Sequence, residues 1–140
     1  MKTLRLTGAP DVPEREVQAA LIRCLCARGW LVVRINSGCH KTANGAFFRS
    51  YLVAGMPSAG KTAAGGLGAS SGFPDVLALK GDGRSEPGTG GGIRARLFEV
   101  KAQGGKPSES QKRFFDFAET RGVAVEIIEG MESLERLDLA

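Results

Sequence analysis

The 140-residue sequence predicts one α/β domain with the order helix, strand, long insert, two strands, helix, strand. Apolar residues recur at helical spacing in two stretches, 13–28 and 107–121. Runs that are rich in β-branched residues, or that alternate, occupy 30–36, 74–80, 93–101 and 123–128. Glycines mark the joins, at Gly29, through Gly81 to Gly92, and at Gly122. The length lies near the usual ~100–150 residues of a domain. The sequence shows no internal repeat and no second domain, so 1–140 is read as one unit with a core at about 13–128.

In the first helix Val17, Ala20, Leu21, Cys24, Leu25 and Arg28 follow the i, i+3, i+4, i+7 rhythm. Asp11-Val12-Pro13-Glu14 reads as a capping box with Asp11 as N-cap. At about 100° per residue, Glu14 joins the stripe of Val17, Gln18, Leu21 and Leu25, whereas Glu16 points nearly the opposite way. The strand at 30–36 follows. The pattern then lapses from 37 to 72, a segment rich in Gly, Ala and Ser that carries Lys41, Arg49 and Lys61. Phe47 to Val53 could supply a short strand or hairpin arm there. Unpatterned segments of this length are usually functional or mobile.

The strand at 74–80 is short, apolar and bounded by glycines, as a buried strand would be. The next strand alternates, with Leu97, Glu99 and Lys101 on one face and Phe98 and Val100 on the other. A Gly-rich loop joins the two. The second helix places Phe114, Phe117, Ala118 and Arg121 on one stripe. Gln111 shares a face with Phe114, Phe115 and Ala118, but Ser108-Glu109-Ser110-Gln111 is also a capping-box pattern. A last strand runs from Val123, and 130–137 reads as a terminal helical turn.

The net charge of +4 and a pI near 9.2 mildly favour a polyanionic partner. No apolar run approaches the ~20 residues of a membrane span, and residues 1–7 make a poor signal peptide. Three cysteines, Cys24, Cys26 and Cys39, suggest reduced thiols in a cytoplasm.

Asp75 opens one strand and Glu99 and Lys101 sit in the next, each acid interrupting an apolar run where an unpaired charge is costly. Two carboxylates and an ammonium at one sheet edge suit a hard divalent cation and an activated water. Competing motifs fare worse. Gly55 to Thr62 matches the P-loop expression, but four glycines in the next ten residues deny it the helix that a phosphate cradle needs. Cys24 and Cys26 diverge by about 200° on a helix, so small buried side chains are preferred to a zinc site. A single histidine leaves no hydrolytic triad.

Taken in order, these residues resemble the PD-(D/E)XK nuclease superfamily, and within it the virus-type replication-repair nuclease (VRR-NUC) domains. Pro13 to Gln18 looks like the acidic first-helix motif, and Arg34-Ile35-Asn36-Ser37-Gly38 like the strand ending in R-x-N-x-G. Gly72-Phe73-Pro74-Asp75 is similar to G-x-P-D, Glu99-Val100-Lys101 to E-V-K, and Gln111 to the glutamine opening the second helix. The resemblance implies a restriction-endonuclease-like αβββαβ core with a mixed sheet flanked by helices. It implies Mg²⁺ or Mn²⁺ and hydrolysis of DNA phosphodiester bonds, with Glu14, Asp75, Glu99, Lys101 and Gln111 catalytic. Asp75, Glu99, the Val100 carbonyl and Glu14 would serve the metal. Arg34, Asn36, Lys41, Arg49 and Lys61 are candidate DNA contacts. Similarity to Holliday-junction resolvases implies branched DNA and a homodimer. A non-catalytic DNA-binding module of the same fold is the alternative, and a nucleotide-binding protein using Lys61 a weaker one.

Overall fold

The computed structural model describes residues 12–35, 40–41, 43–45, 47–48, 53–54, 56, 68–69, 72–83, 86 and 91–140. Helix α1 is Glu14–Ala27, followed by β1 (Leu31–Arg34). The insert contributes four two-residue strands: β2 (His40–Lys41), β3 (Phe47–Phe48), β4 (Val53–Ala54) and β5 (Gly68–Ala69). Then come β6 (Val76–Gly81), β7 (Ile93–Lys101), α2 (Glu109–Glu119), β8 (Val125–Glu129) and α3 (Gly130–Glu135).

The main sheet has the order β1-β6-β7-β8, antiparallel except for the parallel pair β7–β8. With α2 as the crossover between β7 and β8, this is the expected mixed αβββαβ core. The β6–β7 hairpin closes where Asp82 N donates to the Gly92 carbonyl at 2.9 Å. The insert's strands form two separate antiparallel pairs, β2–β3 and β4–β5.

Strand alternation sorts the side chains into two apolar layers. On one face Val76, Ala78, Phe98, Val100 and Ile128 pack against Val17, Leu21 and Leu25 of α1 and Leu134 of α3. On the other, Leu97 packs with Phe114 and Ala118 of α2 and with Met56 from the insert. The α1 stripe is narrower than its periodicity predicts: Val17, Leu21 and Leu25 are buried, but Cys24 and Cys26 are exposed free thiols. The expectation of buried cysteines is thereby corrected; one i, i+4, i+8 line seats α1, with Ala20 and Ile22 partly buried beside it and the two thiols in water. The N-cap of α1 is Pro13, with no side-chain cap bond, which displaces the predicted Asp11 cap; Asp11 lies outside the described residues. Among the described residues no helix is long and apolar enough to cross a membrane.

Candidate active site

The site forms where β6 and β7 emerge at one end of the sheet. Their register pairs Val76 with Phe98, so one step outward brings Asp75 opposite Glu99. Alternation places Glu99 and Lys101 on the face that Leu97 shares with α2. Asp75 is anchored on both sides: its carbonyl accepts from Ile35 N at 2.7 Å, and its Oδ2 accepts from Val100 N at 2.9 Å. An extended residue points its N–H and C=O to the same edge, so the Val100 carbonyl also leaves β7 on the Asp75 side.

Gly72 explains the start of the Gly-Phe-Pro-Asp segment. Its φ is +88°, and a Cβ there would lie 2.2 Å from the Ser110 carbonyl oxygen. Only glycine lets this segment rest against the first turn of α2. Phe73 then meets Phe114 with ring centroids 5.0 Å apart. Pro74 is buried and has no N–H to leave unpaired.

Glu99 is the only buried charged residue of the described set, at 1% exposure. Its Oε1 accepts from Gln111 Nε2 at 2.5 Å and from Lys101 Nζ at 3.0 Å. Its Oε2 is buried and has no hydrogen-bond partner among the described residues. Burial, then the Asp75 charge, push the Glu99 carboxyl up to about 7; Lys101 opposes them and Glu14 adds a smaller upward push. Burial likewise raises Asp75, against the opposing pull of the Val100 amide and the Lys101 charge. An orphaned oxygen on a buried acid next to a second acid is costly unless a proton shared with Asp75 or a cation completes it. Two carboxylates and a carbonyl are the hard oxygen donors that Mg²⁺ or Mn²⁺ takes. The residues therefore fit the ion.

Glu14 is exposed at the first turn of α1, close enough for its charge to raise Glu99. Among the described residues no three His, Cys, Asp or Glu side chains group as a metal cluster, so Glu14 stands outside the Asp75–Glu99 pair. Glu16, also exposed, lines a groove with Val12, Ala19, Ala20, Arg23 and Met131. Arg34 ends β1, exposed, and its charge lowers the Asp75 carboxyl. Asn36, Arg49 and Lys61 lie outside the described residues, as does the Lys41 side chain.

Gln111 closes the capping box of α2 and also reaches Glu99. Its backbone N–H donates to Ser108 Oγ at 3.3 Å and its Oε1 accepts from Ser108 N at 2.8 Å, while Nε2 reaches Glu99. Ser108 and Gly72 contribute to the site in ways that the sequence reading did not assign. The capping-box pattern carries the signal for Ser108, because the glutamine that closes the box also reaches Glu99.

A mixed four-stranded sheet flanked by helices, carrying an aspartate and a Glu-x-Lys on neighbouring strands, defines a restriction-endonuclease-like nuclease core. The model of the VRR-NUC domain family matches residues 61–132, and the chain belongs to that family. The matched span holds Asp75, Glu99, Lys101 and Gln111, with Glu14 and Arg34 before it. Comparison with curated proteins and with solved structures gives no match.

Proposed function

We propose that the chain is a Mg²⁺- or Mn²⁺-dependent endonuclease that hydrolyses phosphodiester bonds in DNA, prefers branched substrates and works as a homodimer. The orphaned, buried Oε2 of Glu99 beside Asp75 is the observation that carries this reading. Asp75, Glu99 Oε2 and the Val100 carbonyl would hold the ion. A bound ion would supply polarisation of a phosphate oxygen and a lowered pKa for a water.

The remaining residues act around that centre. Lys101, tied to Glu99 Oε1, keeps an ammonium beside the pair, where it orients the attacking water and stabilises charge growing on the phosphoryl oxygens. Gln111 holds Glu99 Oε1 and so leaves Oε2 free. Glu14 acts from the α1 side, through a water or a second ion. Arg34, with Asn36, Lys41, Arg49 and Lys61, meets phosphates and positions DNA without reading its sequence. Branched DNA and dimerisation rest on the resemblance to junction resolvases; one site cuts one strand, and paired cuts need two. The exposed thiols Cys24 and Cys26 fit a reducing cytoplasm.

The test is a panel of four-way junction, flap, nicked and linear DNAs, incubated with Mg²⁺, Mn²⁺ or EDTA, with light scattering for mass. Cleavage with either ion, none in EDTA and none by Asp75→Ala is the expected result. Full activity in EDTA would overturn the mechanism. A monomer that cuts linear duplex as fast as a junction would remove the branched-substrate part.

A further inference from the structure

We propose that Ser108 and Gly72 are positioning residues that fix which end of the Gln111 amide faces Glu99. The consequence for catalysis rests on the nuclease reading above; the geometry does not.

A glutamine amide has an acceptor end and a donor end of nearly the same shape. Against a carboxylate oxygen only the donor end is favourable. Ser108 N–H occupies Gln111 Oε1 at 2.8 Å, so the NH₂ is the end left for Glu99 Oε1, at 2.5 Å. Ser108 Oγ accepts from Gln111 N at 3.3 Å and closes the box from the other side. Turning the amide over would set two oxygens against each other at Glu99 and two N–H groups against each other at Ser108. The helix cap thus sets the polarity of a site residue.

Gly72 sets where that cap stands. A Cβ at Gly72 would lie 2.2 Å from Ser110 O, 2.6 Å from Ser110 C and 3.1 Å from Gln111 N. These are backbone atoms and cannot swing aside as a flexible side chain would. The bare glycine lets the chain leading to Asp75 touch the very peptide that precedes Gln111. Spacing between the Asp75 strand and the Gln111 amide is thereby set across one contact, two residues before the buried Pro74. With Gln111 and Lys101 both on Oε1, Oε2 remains the available oxygen of Glu99.

The test follows the Gln111 side-chain NH₂ by NMR in metal-free protein, and Mn²⁺ affinity by EPR, in wild type, Ser108→Pro, Ser108→Ala and Gly72→Ala. In wild type the Gln111 amide proton facing Glu99 should lie downfield of those of Gln18 and Gln103. Ser108→Pro removes the N–H that holds Gln111 Oε1 and suits the backbone φ of −71° there, so it should lose that shift and bind Mn²⁺ about 10-fold more weakly. Ser108→Ala removes only the Oγ, so it should melt lower but keep both. Gly72→Ala should lose the shift; if it does not fold, the two Ser108 variants decide. A Ser108→Pro protein that keeps the shift and the Mn²⁺ affinity would reduce Ser108 to a cap and overturn the proposal. A wild-type Gln111 signal like those of the other glutamines would overturn it too. If wild type binds no Mn²⁺, the nuclease reading fails, and the amide signal still decides the polarity.

Discussion

The two ends of the central sheet are built to opposite rules. At the far end Trp30 is buried and donates to the Leu139 carbonyl at 3.1 Å. Arg96 and Arg94 take the neighbouring carbonyls of Asp138 and Ala140, at 2.6 and 2.9 Å. Three consecutive tail carbonyls are thus each met by a side chain. Arg96 also pairs with both carboxylate oxygens of Glu126, and Lys80 donates to the Arg28 carbonyl at 2.7 Å. Lys80, Arg94 and Arg96 stand 5.2–5.8 Å from the Trp30 ring, within cation–π range. At the other end a more deeply buried acid, Glu99, has one oxygen that meets no hydrogen-bond partner among the described residues. The same fold therefore satisfies its polar groups where only stability is at stake. On the proposed reading, the ion would be the partner that Glu99 Oε2 lacks.

The largest expected effects exploit that contrast. Asp75→Ala and Glu99→Ala should bring DNA cleavage down to background while the protein stays folded, because each removes one of two neighbouring carboxylates whose charged forms burial disfavours. Trp30→Ala should do the reverse, costing about 3–5 kcal/mol of stability, read by urea denaturation, with cleavage per folded molecule unchanged. If Glu99→Ala instead unfolds the protein, the carboxylate end is structural and the comparison collapses.

Next in size is a pH effect on the metal-free protein. Glu99 titrates near 7 when folded, against an ordinary 4.5, so between those values the folded state holds more protons than the unfolded chain. Stability must then fall as pH rises through that window. Asp75, also raised, acts with the same sign. In EDTA the melting temperature should drop by about 3–5 °C from pH 5 to pH 8 relative to Glu99→Gln, whose trace should be flatter. A melting temperature that rises equally in both proteins would show that burial does not strain Glu99.

The sequence discloses this end of the molecule unevenly. Alternation in β7 put Glu99 and Lys101 on one face, and the register confirms it. Glycine and apolar boundaries located β6. Periodicity could not show that Cys24 stays in water, because a helical stripe has a direction but no width. The two-residue strands of the insert are too short for any period to register. Gln111 looked like a choice between cap and site because pattern rules treat a side chain as having one job; its amide has two ends. The orphaned Oε2 was illegible in principle, since it depends on which donors from β7 and α2 arrive at Oε1.

Glu14 and Glu16 offer a smaller, sharper comparison within one helix turn. Glu14 is the one whose charge reaches Glu99, whereas Glu16 lines the groove beside Met131. Glu14→Gln should slow cleavage about 10-fold with melting temperature unchanged, and Glu16→Gln should do neither. A larger loss from Glu16→Gln would reverse the assignment of the helix face.

The smallest effect returns to the two ends of the sheet. Arg34 and Arg94 are both exposed cations on sheet strands. Arg94 is committed to the Ala140 carbonyl and the Trp30 ring. Arg34 lies at the carboxylate end, near enough to act on Asp75. A phosphate contact releases counterions, so losing one lowers the slope of log affinity against log salt by about 1. Arg34→Ala should therefore weaken binding of a DNA duplex modestly, across all sequences, and flatten its salt dependence by about that amount. Arg94→Ala should leave the slope unchanged and act on stability alone. Equal slopes for the two variants would mean that DNA does not distinguish the ends of the sheet, and that the carboxylate end is not where the backbone lies.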